Sequence, residues 1–328
     1  FMTRLFLIAS AMIGLFLSSS ATAQTDASPW PTQKKIRLIV PFPAGGGADA
    51  IARIVAPALA KELGQSIYID NRAGAAGSLG TQTALREKAD GYTLIYVTNG
   101  TLITNPSLYA QVDYTLDDFM PVARLTDLPL VLAVRKQPDA PTSVEEFLTR
   151  AKKSDTSLRY GSAGIGTTSH FAAVMLSECT GLTFEHIPYR GGFASMTDLL
   201  AGRIDFTIDV ATNTMPHVKA GALIALGLST QCKNPEMNNI AMLGQQLPGY
   251  QLSAWDGIAV KAGTSPIIVK QLSEAINRTL ERPEVVEALT LRGAELVKSS
   301  PESFKDFIES EKPRWDHLVE SAKAQAKH

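Results

Sequence analysis

The sequence predicts an α/β protein whose sheet is parallel and whose ligand site lies at the carboxyl ends of the strands. Short apolar, β-branched runs alternate along the chain with segments whose apolar residues recur at helical spacing. Twice, at residues 36–53 and 158–176, such a run passes through a glycine-rich loop directly into a helix. Strands that alternate with helices form parallel sheets, which bind ligands where the strands end. The length of 328 residues is sufficient for two domains.

The first of these loops, residues 41–49, reads PFPAGGGAD and follows a predicted strand at residues 36–40. Glycines let backbone N–H groups approach a ligand, and the start of the next helix adds partial positive charge. The loop has no GxxxxGK[ST] or GxGxxG pattern, so it is no specific phosphate signature. It predicts an anion site, with a plain strand-to-helix turn as the alternative. Pro57 predicts a kink or an early break in the helix that follows.

Other loops of small residues follow further predicted strands. Residues 71–80 and 98–101 each lie after a strand, and residues 161–168 connect a strand to a helix that carries His170. Because the loops at 41–49 and 161–168 lie in different parts of the chain, we expect them to face each other across a cleft. Together they would hold both ends of a small anion.

The rest of the chain continues the alternation and ends in helices. Further strands are predicted at 128–135, 184–187, 204–208, 223–229 and 250–260, and further helices at 143–153, 194–201, 216–221, 266–280, 283–292 and from residue 300 onward. Asp209, at the end of one strand, is expected to face the cleft. It would fix a loop amide or accept a hydrogen bond from a ligand amine.

The N-terminal residues have the pattern of a cleavable signal peptide. A basic residue, Arg4, precedes an apolar run at residues 5–17, and Ala21-Thr22-Ala23 has the small-x-small pattern of a cleavage site. The run is shorter than the roughly 20 residues that span a membrane, which disfavours the alternative of an anchor. We therefore predict a signal peptide at residues 1–23, cleavage after Ala23 and an exported, soluble mature chain.

Composition excludes several function classes. A formal net charge of −1, without long runs of one sign, argues against nucleic acid and anionic membranes as partners. No histidine pair has metal-ligand spacing with a third partner nearby, so neither a metal nor another cofactor is expected. The two cysteines, Cys179 and Cys232, lack a catalytic signature, and in an exported protein we expect them to form a disulfide.

Two rival functions were weighed against ligand binding. A hydrolase would need a nucleophile beside a base, and the one candidate is Ser162, whose surroundings do not fit GxSxG because Tyr160 stands where the first glycine is required. A nucleotide-binding protein is disfavoured by export and by the missing acidic ribose partner. His170 is expected either to contact the ligand or to cap and pack its helix. His186, within an apolar strand, is expected to be structural.

A series of short motifs runs in order along nearly all of the chain after residue 29. They are IVPFPAGG at 39–46 with Asp49 and Arg53, YIDNRAG at 68–74, DGYTL at 90–94, NPSLY at 105–109, YGSAGIGT at 160–167, HIPYRG at 186–191, DLLAG at 198–202 and PHVKAG at 216–221. In these motifs and their spacing the chain resembles the periplasmic substrate-binding proteins of tripartite tricarboxylate transporters, the Bug receptor family.

The resemblance implies a two-lobed periplasmic binding protein fold of type II character, with two α/β lobes joined by crossing hinge strands. Lobe 1 would comprise residues 24–125 and 250–328, and lobe 2 residues 126–249. The lobes would close on a small organic carboxylate like a hinged trap, and the receptor, a monomer, would deliver it to membrane transporter subunits. The ligand would be a dicarboxylate or an aromatic acid such as a phthalate isomer, with citrate-like and amino-acid ligands left open.

The resemblance also implies a set of ligand contacts made mostly through backbone amides and hydroxyls. The positions that match are Phe42, Ala44, Gly45, Gly46, Ala75, Ala76, Gly77, Thr98, Thr101, Asn105, Ser162, Ala163, Gly166, Thr167, His170 and Asp209. The chain departs from the family pattern at Ala73, where proline is usual, at Ala76, where glycine is common, and at Thr101. These departures bear on the far end of the ligand.

Overall fold

The computed structural model describes residues 29–325, so the predicted signal peptide lies outside the described residues. The strands are β1 (Ile36–Val40), β2 (Ile67–Asn71), β3 (Thr93–Thr98), β4 (Phe119–Arg135), β5 (Arg159–Ser162), β6 (Glu185–Pro188), β7 (Phe206–Val210), β8 (Leu223–Leu228), β9 (Ser253–Lys261) and β10 (Glu295–Leu296). The α-helices are α1 (Gly47–Leu63), α2 (Ser78–Leu85), α3 (Asn105–Leu108), α4 (Val144–Lys153), α5 (Thr168–Thr180), α6 (Gly192–Leu200), α7 (Ala211–Lys219), α8 (Pro266–Thr279), α9 (Pro283–Leu291) and α10 (Pro301–Gln325). Within residues 29–325, none of the helices has the length and apolar character needed to span a membrane.

The sheet is mixed, with two parallel groups on either side of antiparallel strands. Its order is β2-β1-β3-β9-β4-β7-β5-β6, and β8 and β10 also pair with β4. β1 is parallel to β2 and β3, and β5 is parallel to β6 and β7. β4 and β9 are antiparallel to the strands they pair with. The parallel character that the sequence predicts therefore holds within each group but not across the whole sheet.

The long strand β4 belongs to both groups. Its residues 119–129 pair with β9, whereas residues 130–135 pair with β7 and β8. We call β1, β2, β3, β9, β10 and the first part of β4 the first half-sheet, and β5 to β8 with the rest of β4 the second half-sheet. The sequence pattern predicts only residues 128–135 of this strand, because proline and polar residues interrupt the apolar run before them.

The chain passes from one half-sheet to the other through β4 and returns through residues 229–252, which connect β8 to β9. Ser229 links these two crossing segments by hydrogen bonds. The Ser229 hydroxyl accepts a hydrogen bond from the Leu130 N–H of β4 at 2.9 Å and donates to the Leu252 carbonyl at 2.5 Å. The backbone of Ser229 also bonds to both Leu130 and Leu252. Because Leu252 directly precedes β9, both connections cross side by side, and any movement of one half-sheet against the other acts on this pair of segments.

The last helix, α10, packs on elements of both half-sheets. Its Phe304 meets the buried Trp255 of β9 edge to face, with ring centroids 5.6 Å apart. Its Trp315, also fully buried, contacts Phe171 of α5 at 6.0 Å. Trp255 thus packs into the core beside the crossing strands.

The predicted early break in α1 is wrong. The helix continues through Pro57 to Leu63 and ends at Gly64, which adopts a left-handed conformation. An interior proline costs about 3 kcal/mol in a helix, but Ile51, Val55 and Leu59 of the same helix are buried. Burial of these side chains stabilises the helix enough to outweigh the lost hydrogen bond.

Replacing Gly257 of β9 with alanine should destabilise the fold. An added Cβ would lie 2.3 Å from the Phe304 ring and 2.9 Å from the Ala123 carbonyl oxygen, and overpacking of this kind typically costs about 1–3 kcal/mol. Urea unfolding measures the loss in the free energy of unfolding. The control is Gly46→Ala, where the nearest atom lies 3.8 Å away; equal stability of the two variants would contradict this packing.

Candidate functional site

A cavity of about 100 Å³ lies between the two half-sheets, at the carboxyl ends of their parallel strands. One water needs about 10–15 Å³, so several non-hydrogen atoms of a ligand can be accommodated. The first half-sheet and its loops contribute Phe42, Pro43, Gly46, Gly47, Ala48, Ala76, Thr98, Asn99, Gly100, Ala254 and Asp256, the second contributes Ala163, Thr167, Thr168, Ser169, Gly191, Gly192, Phe193, Asp209, Val210 and Asn213, and Leu128 lies where β4 passes between them. None of these lining residues is lysine, arginine or histidine.

Three helices begin at this cavity. The residue before each helix and the first two residues within it line the cavity, at Gly46–Ala48 for α1, at 167–169 for α5 and at 191–193 for α6. No side chain caps any of these three helix starts. The first N–H groups of a helix have no partner within it and carry partial positive charge. The cavity therefore offers backbone donors from three directions to a negatively charged ligand.

The first of these helix starts is held in place by Asp49. Its carboxylate accepts hydrogen bonds from the Gly45 N–H at 2.9 Å, from Arg53 at 2.8 Å and from the Asn71 amide at 3.0 Å. Burial on its own raises the pKa of Asp49, but these hydrogen bonds outweigh it and hold the pKa below the usual value. The Asn71 amide also donates to the Phe42 carbonyl at 3.1 Å, so one network fixes the loop from both ends.

The second loop is strained and is supported by residues behind it. Ala75 and Ala76 have φ angles of 46° and 50°, which residues with a side chain rarely adopt. Asn105 donates to the Ala76 carbonyl at 3.0 Å, and the Thr101 hydroxyl accepts from the Thr98 N–H at 3.0 Å. Both Asn105 and Thr101 are fully buried, so they position the cavity wall without lining it.

The loops of the two half-sheets contact each other directly beside the cavity. The Asn99 amide donates to the Thr168 hydroxyl at 2.8 Å, and that hydroxyl lies 3.0 Å from the amide oxygen of Asn99. The Thr104 hydroxyl donates to the Gly166 carbonyl at 2.9 Å. These contacts join the two half-sheets directly beside the cavity, which is a closed arrangement.

Behind the start of α5, four side chains form a stack, in which His186 is partly exposed and the other three residues are buried. The rings of Tyr160, His186 and His170 lie parallel, with centroids 4.7 Å and 4.4 Å apart, and the Ser162 hydroxyl lies 2.6 Å from His186 Nε2. His170 Nδ1 accepts from the Gly166 N–H at 3.2 Å. Burial lowers the pKa of His186 to about 4, and burial with the neighbouring His186 lowers the pKa of His170 to about 3. Both histidines are therefore neutral at pH 7 and support the loop.

The same stack places His186 beside Ser162, and a hydrolase would need such a base. Ser162 is nevertheless not a usable nucleophile. Ser162 is completely buried, and its hydroxyl also accepts from the Gly164 N–H at 3.1 Å. A nucleophile must be reachable by its substrate. The Ser162–His186 contact is consequently a structural hydrogen bond.

Asp209 lines the cavity with its carboxylate already occupied. It accepts from the Asn213 amide at 2.6 Å and from the Val210 N–H at 2.8 Å. Burial raises the pKa of Asp209, against the effect of these hydrogen bonds. Of the two sequence interpretations, fixing a loop amide is therefore the one that the geometry supports.

The predicted ligand contacts divide into those that line the cavity and those behind it. Lining the cavity are Phe42, Gly46, Ala76, Thr98, Ala163, Thr167 and Asp209. Outside the lining are Ala44, Gly45, Ala75, Gly77, Thr101, Asn105, Ser162, Gly166 and His170. The second group belongs to the same loops and mostly holds the lining residues in place.

Sequence reasoning missed one helix start and one acidic residue. Gly191 and Gly192 repeat the pattern of a strand, glycines and a helix for a third time, and that signal was available in the sequence. Asp256, in the middle of β9, carries no such signal, since only the pairing of β9 with β3 and β4 brings it to the cavity.

The expected disulfide is wrong. Cys179 and Cys232 are both free thiols. The Cys179 sulfur lies 4.0 Å from the Pro248 carbonyl oxygen, whereas the Cys232 sulfur accepts from the Asn234 N–H at 3.4 Å. Sequence spacing carries no information on whether two cysteines lie within bonding distance.

Known proteins are similar to this chain in sequence and in fold. Residues 51–323 match the model of the family described as tripartite tricarboxylate transporter family receptor. BugT of Bordetella pertussis is 31% identical over 331 residues, covering 99% of each chain. A solved R. palustris protein with adipate has a TM-score of 0.85 at 31% identity, covering 90% of this chain and 99% of its own. MatC from Rhodopseudomonas palustris, with bound malate, has a TM-score of 0.81 at 29% identity, covering 88% and 99%.

The buried histidines should make the protein less stable in acid. The ordinary histidine pKa is about 6.5, so the unfolded chain binds protons below that pH while folded His170 and His186 stay neutral. Their contribution is present above pH 6.5 and is lost as the pH falls toward the folded values of about 3 and 4. Each histidine adds up to about 1.4 kcal/mol of lost stability per pH unit.

Urea unfolding between pH 8 and pH 5 measures this dependence. His186→Gln should reduce the slope, whereas His317→Gln, at a side chain that is 71% exposed, should leave it unchanged. Identical slopes for the wild type and His186→Gln would contradict the assignment.

Proposed function

The chain belongs to the tripartite tricarboxylate transporter receptor family, and from this premise we propose that it captures a small organic dicarboxylate between two lobes and delivers it to a tripartite membrane transporter. Members of this family are periplasmic solute-binding receptors and not enzymes. The fold is the mixed α/β fold of periplasmic binding proteins, so the predicted fold class is confirmed.

The observation that carries this proposal is the convergence of three uncapped helix starts on one cavity without a basic side chain in its lining. A ligand carboxylate satisfies backbone N–H groups that have no partner in the helix, and it interacts favourably with the helix dipoles. Because α1 belongs to the first half-sheet and α5 and α6 to the second, a ligand with two carboxylates can be held from both sides.

The ligand class is supported by two related structures and by the apolar part of the lining. The related proteins were solved with adipate and with malate, which are both dicarboxylates. Phe42, Leu128 and Phe193 supply apolar surface between the helix starts, which suits a carbon skeleton. An aromatic diacid such as a phthalate isomer has the same combination of features.

We place the lobes as the resemblance implies, with residues 24–125 and 250–328 in lobe 1 and 126–249 in lobe 2. The crossing segments at Leu130 and Leu252 then serve as the hinge. The open form binds one carboxylate on lobe 1, and closure brings the starts of α5 and α6 onto the other. The receptor acts as a monomer in the periplasm after removal of residues 1–23.

A screen of organic acids tests the function directly. A dicarboxylate at 100 times its dissociation constant stabilises the folded state by about 2.7 kcal/mol, which raises the melting temperature by roughly 5 °C. Adipate, malate, phthalate, citrate and aspartate, each tested by thermal shift with butylamine as control, cover the candidate classes. No response to any acid would overturn the proposal.

Closure is tested by a pair of neighbouring glycines. A Cβ at Gly47 would lie 2.6 Å from the Thr212 hydroxyl and 3.2 Å from the Val210 side chain, across the interface, whereas one at Gly46 meets nothing closer than 3.8 Å. Gly47→Ala should therefore weaken binding by at least tenfold at unchanged stability in the ligand-free protein. Gly46→Ala should retain most of the affinity.

Calorimetric titration with the best acid from the screen gives both dissociation constants. Small-angle scattering with saturating acid shows whether Gly47→Ala stays more extended than the wild type. Equal affinities for the wild type, Gly46→Ala and Gly47→Ala would contradict ligand capture by closure.

A further inference from the structure

Asp256 lines the cavity, and few groups around its carboxyl group would stabilise a negative charge there. It lies in β9, opposite Thr98 of β3 and Thr126 of β4, and only 4% of the residue is exposed. The Thr126 hydroxyl lies 3.3 Å from its carboxylate, and the Tyr96 hydroxyl is the other polar group that opposes the rise in its pKa. Asp209, by contrast, accepts two hydrogen bonds of 2.6 Å and 2.8 Å.

The charges that face Asp256 are negative or neutral. Tyr96 lies beside it on β3, and Asp127, on β4, is paired with Arg124. Across the cavity, Asp209 of β7 is a second buried carboxyl group. Among residues 29–325, no lysine, arginine or histidine lines the cavity. A dicarboxylate that enters beside two ionised aspartates would meet strong repulsion in a poorly solvated site.

We propose that Asp256 determines specificity at the inner end of the ligand by remaining protonated in the closed complex and donating its O–H to one ligand carboxylate. This inference rests on the proposed function. The ligand enters as a dianion, and any Asp256 that is ionised beforehand takes one proton from the solvent as the complex forms. Capture of the acid is thereby coupled to uptake of up to one proton.

The protonation of Asp256 follows from its surroundings. Burial raises the pKa of Asp256 to about 7, with Asp127 adding to the rise and Tyr96 and Thr126 opposing it. A neutral carboxyl group is therefore available near pH 7 without large cost. A hydrogen bond from its O–H to a carboxylate is charge-assisted and about twice as strong as one between neutral groups.

Calorimetric titration of the wild-type protein with adipate and with malate, between pH 5.5 and pH 8.5, tests the coupling. Affinity should be constant at low pH and should fall about tenfold per pH unit above pH 7, as the uptake of one proton on binding requires. At pH 7.5, titrations in two buffers of different ionisation enthalpy should show net uptake of protons, up to one per ligand. This measurement needs no variant and so does not depend on how a variant folds.

Asp256→Asn supplies the matched variant, since its amide keeps a donor at the same place and cannot titrate. It should bind with an affinity that is independent of pH and should take up no protons. Asp306→Asn, at an exposed position of α10, should retain the pH dependence of the wild type.

Three results would overturn the inference. They are pH-independent affinity of the wild type, absence of proton uptake, and a loss of affinity on Asp256→Asn at pH 5.5. Tighter binding of aspartate than of malate, abolished by Asp256→Asn, would show instead that an ionised Asp256 accepts a ligand ammonium group. If neither adipate, malate nor any other acid of the screen binds the wild type, both the proposed function and this inference are wrong. If an acid binds with an affinity that does not depend on pH, this inference alone is wrong.

Discussion

Backbone N–H groups at the start of an α-helix have no acceptor within the helix, and the function proposed here depends on where this protein leaves them uncapped. In α4 the Ser143 hydroxyl accepts from the Glu146 N–H and satisfies such a group in the ordinary way. At α1, α5 and α6 no side chain does so, and glycine or threonine stands at the capping position. These three uncapped starts all lie at the cavity, although other helices, such as α8 and α9, also begin without a side-chain cap.

The position of these helix starts is set by structure behind them, and that structure is mostly polar. Asp49 and Asn71 hold the first loop, Asn105 holds the second, and the stack of Tyr160, His186 and His170 supports the third. Their hydrogen bonds are at least partly buried, so losing one partner leaves the other poorly satisfied at a cost of up to about 1–3 kcal/mol. Rigid loops lower the entropy cost of ordering the site when a ligand binds.

Two crossing segments join the half-sheets and leave the cavity between them, so a ligand there would be contacted from both sides. β4 passes from one half-sheet to the other, and the segment around Ser229 returns beside it. Side chains beside the cavity also meet across it, such as the pair formed by Asn99 and Thr168. Motion about two adjacent crossing segments can separate these loop contacts while each half-sheet keeps its own hydrogen bonds.

Local patterns in the sequence were sufficient to predict the parts of the site that depend on local structure. The loops at 41–49 and 161–168 could be predicted because glycines between a strand and a helix mark a close backbone approach at that point of the chain. Asp256 could not, because its place in the cavity depends on the pairing of β9 with two strands distant in sequence. The same reason applies to the cysteines, whose separation is set by the packing of α5 and the loop after β8.

The contact between Ser162 and His186 was likewise beyond sequence reasoning. Their strand positions indicate which residues are neighbours in the sheet, but the stack forms only when β5, β6 and α5 come together. His170 lies one turn into a helix behind a glycine loop, and the sequence left open whether its ring faces a ligand or its own loop. Its hydrogen bond to Gly166 decides for the loop in the closed arrangement.

The central claim is that backbone amides at the three helix starts, and not a basic side chain, hold the ligand's carboxylates. A crystal structure of the protein with a dicarboxylate that binds in solution tests it most directly. The account predicts carboxylate oxygens about 2.7–3.1 Å from backbone nitrogens at the start of α1 on one side and of α5 or α6 on the other. A ligand whose carboxylates are paired instead with lysine or arginine side chains, or that lies outside this cavity, would contradict it.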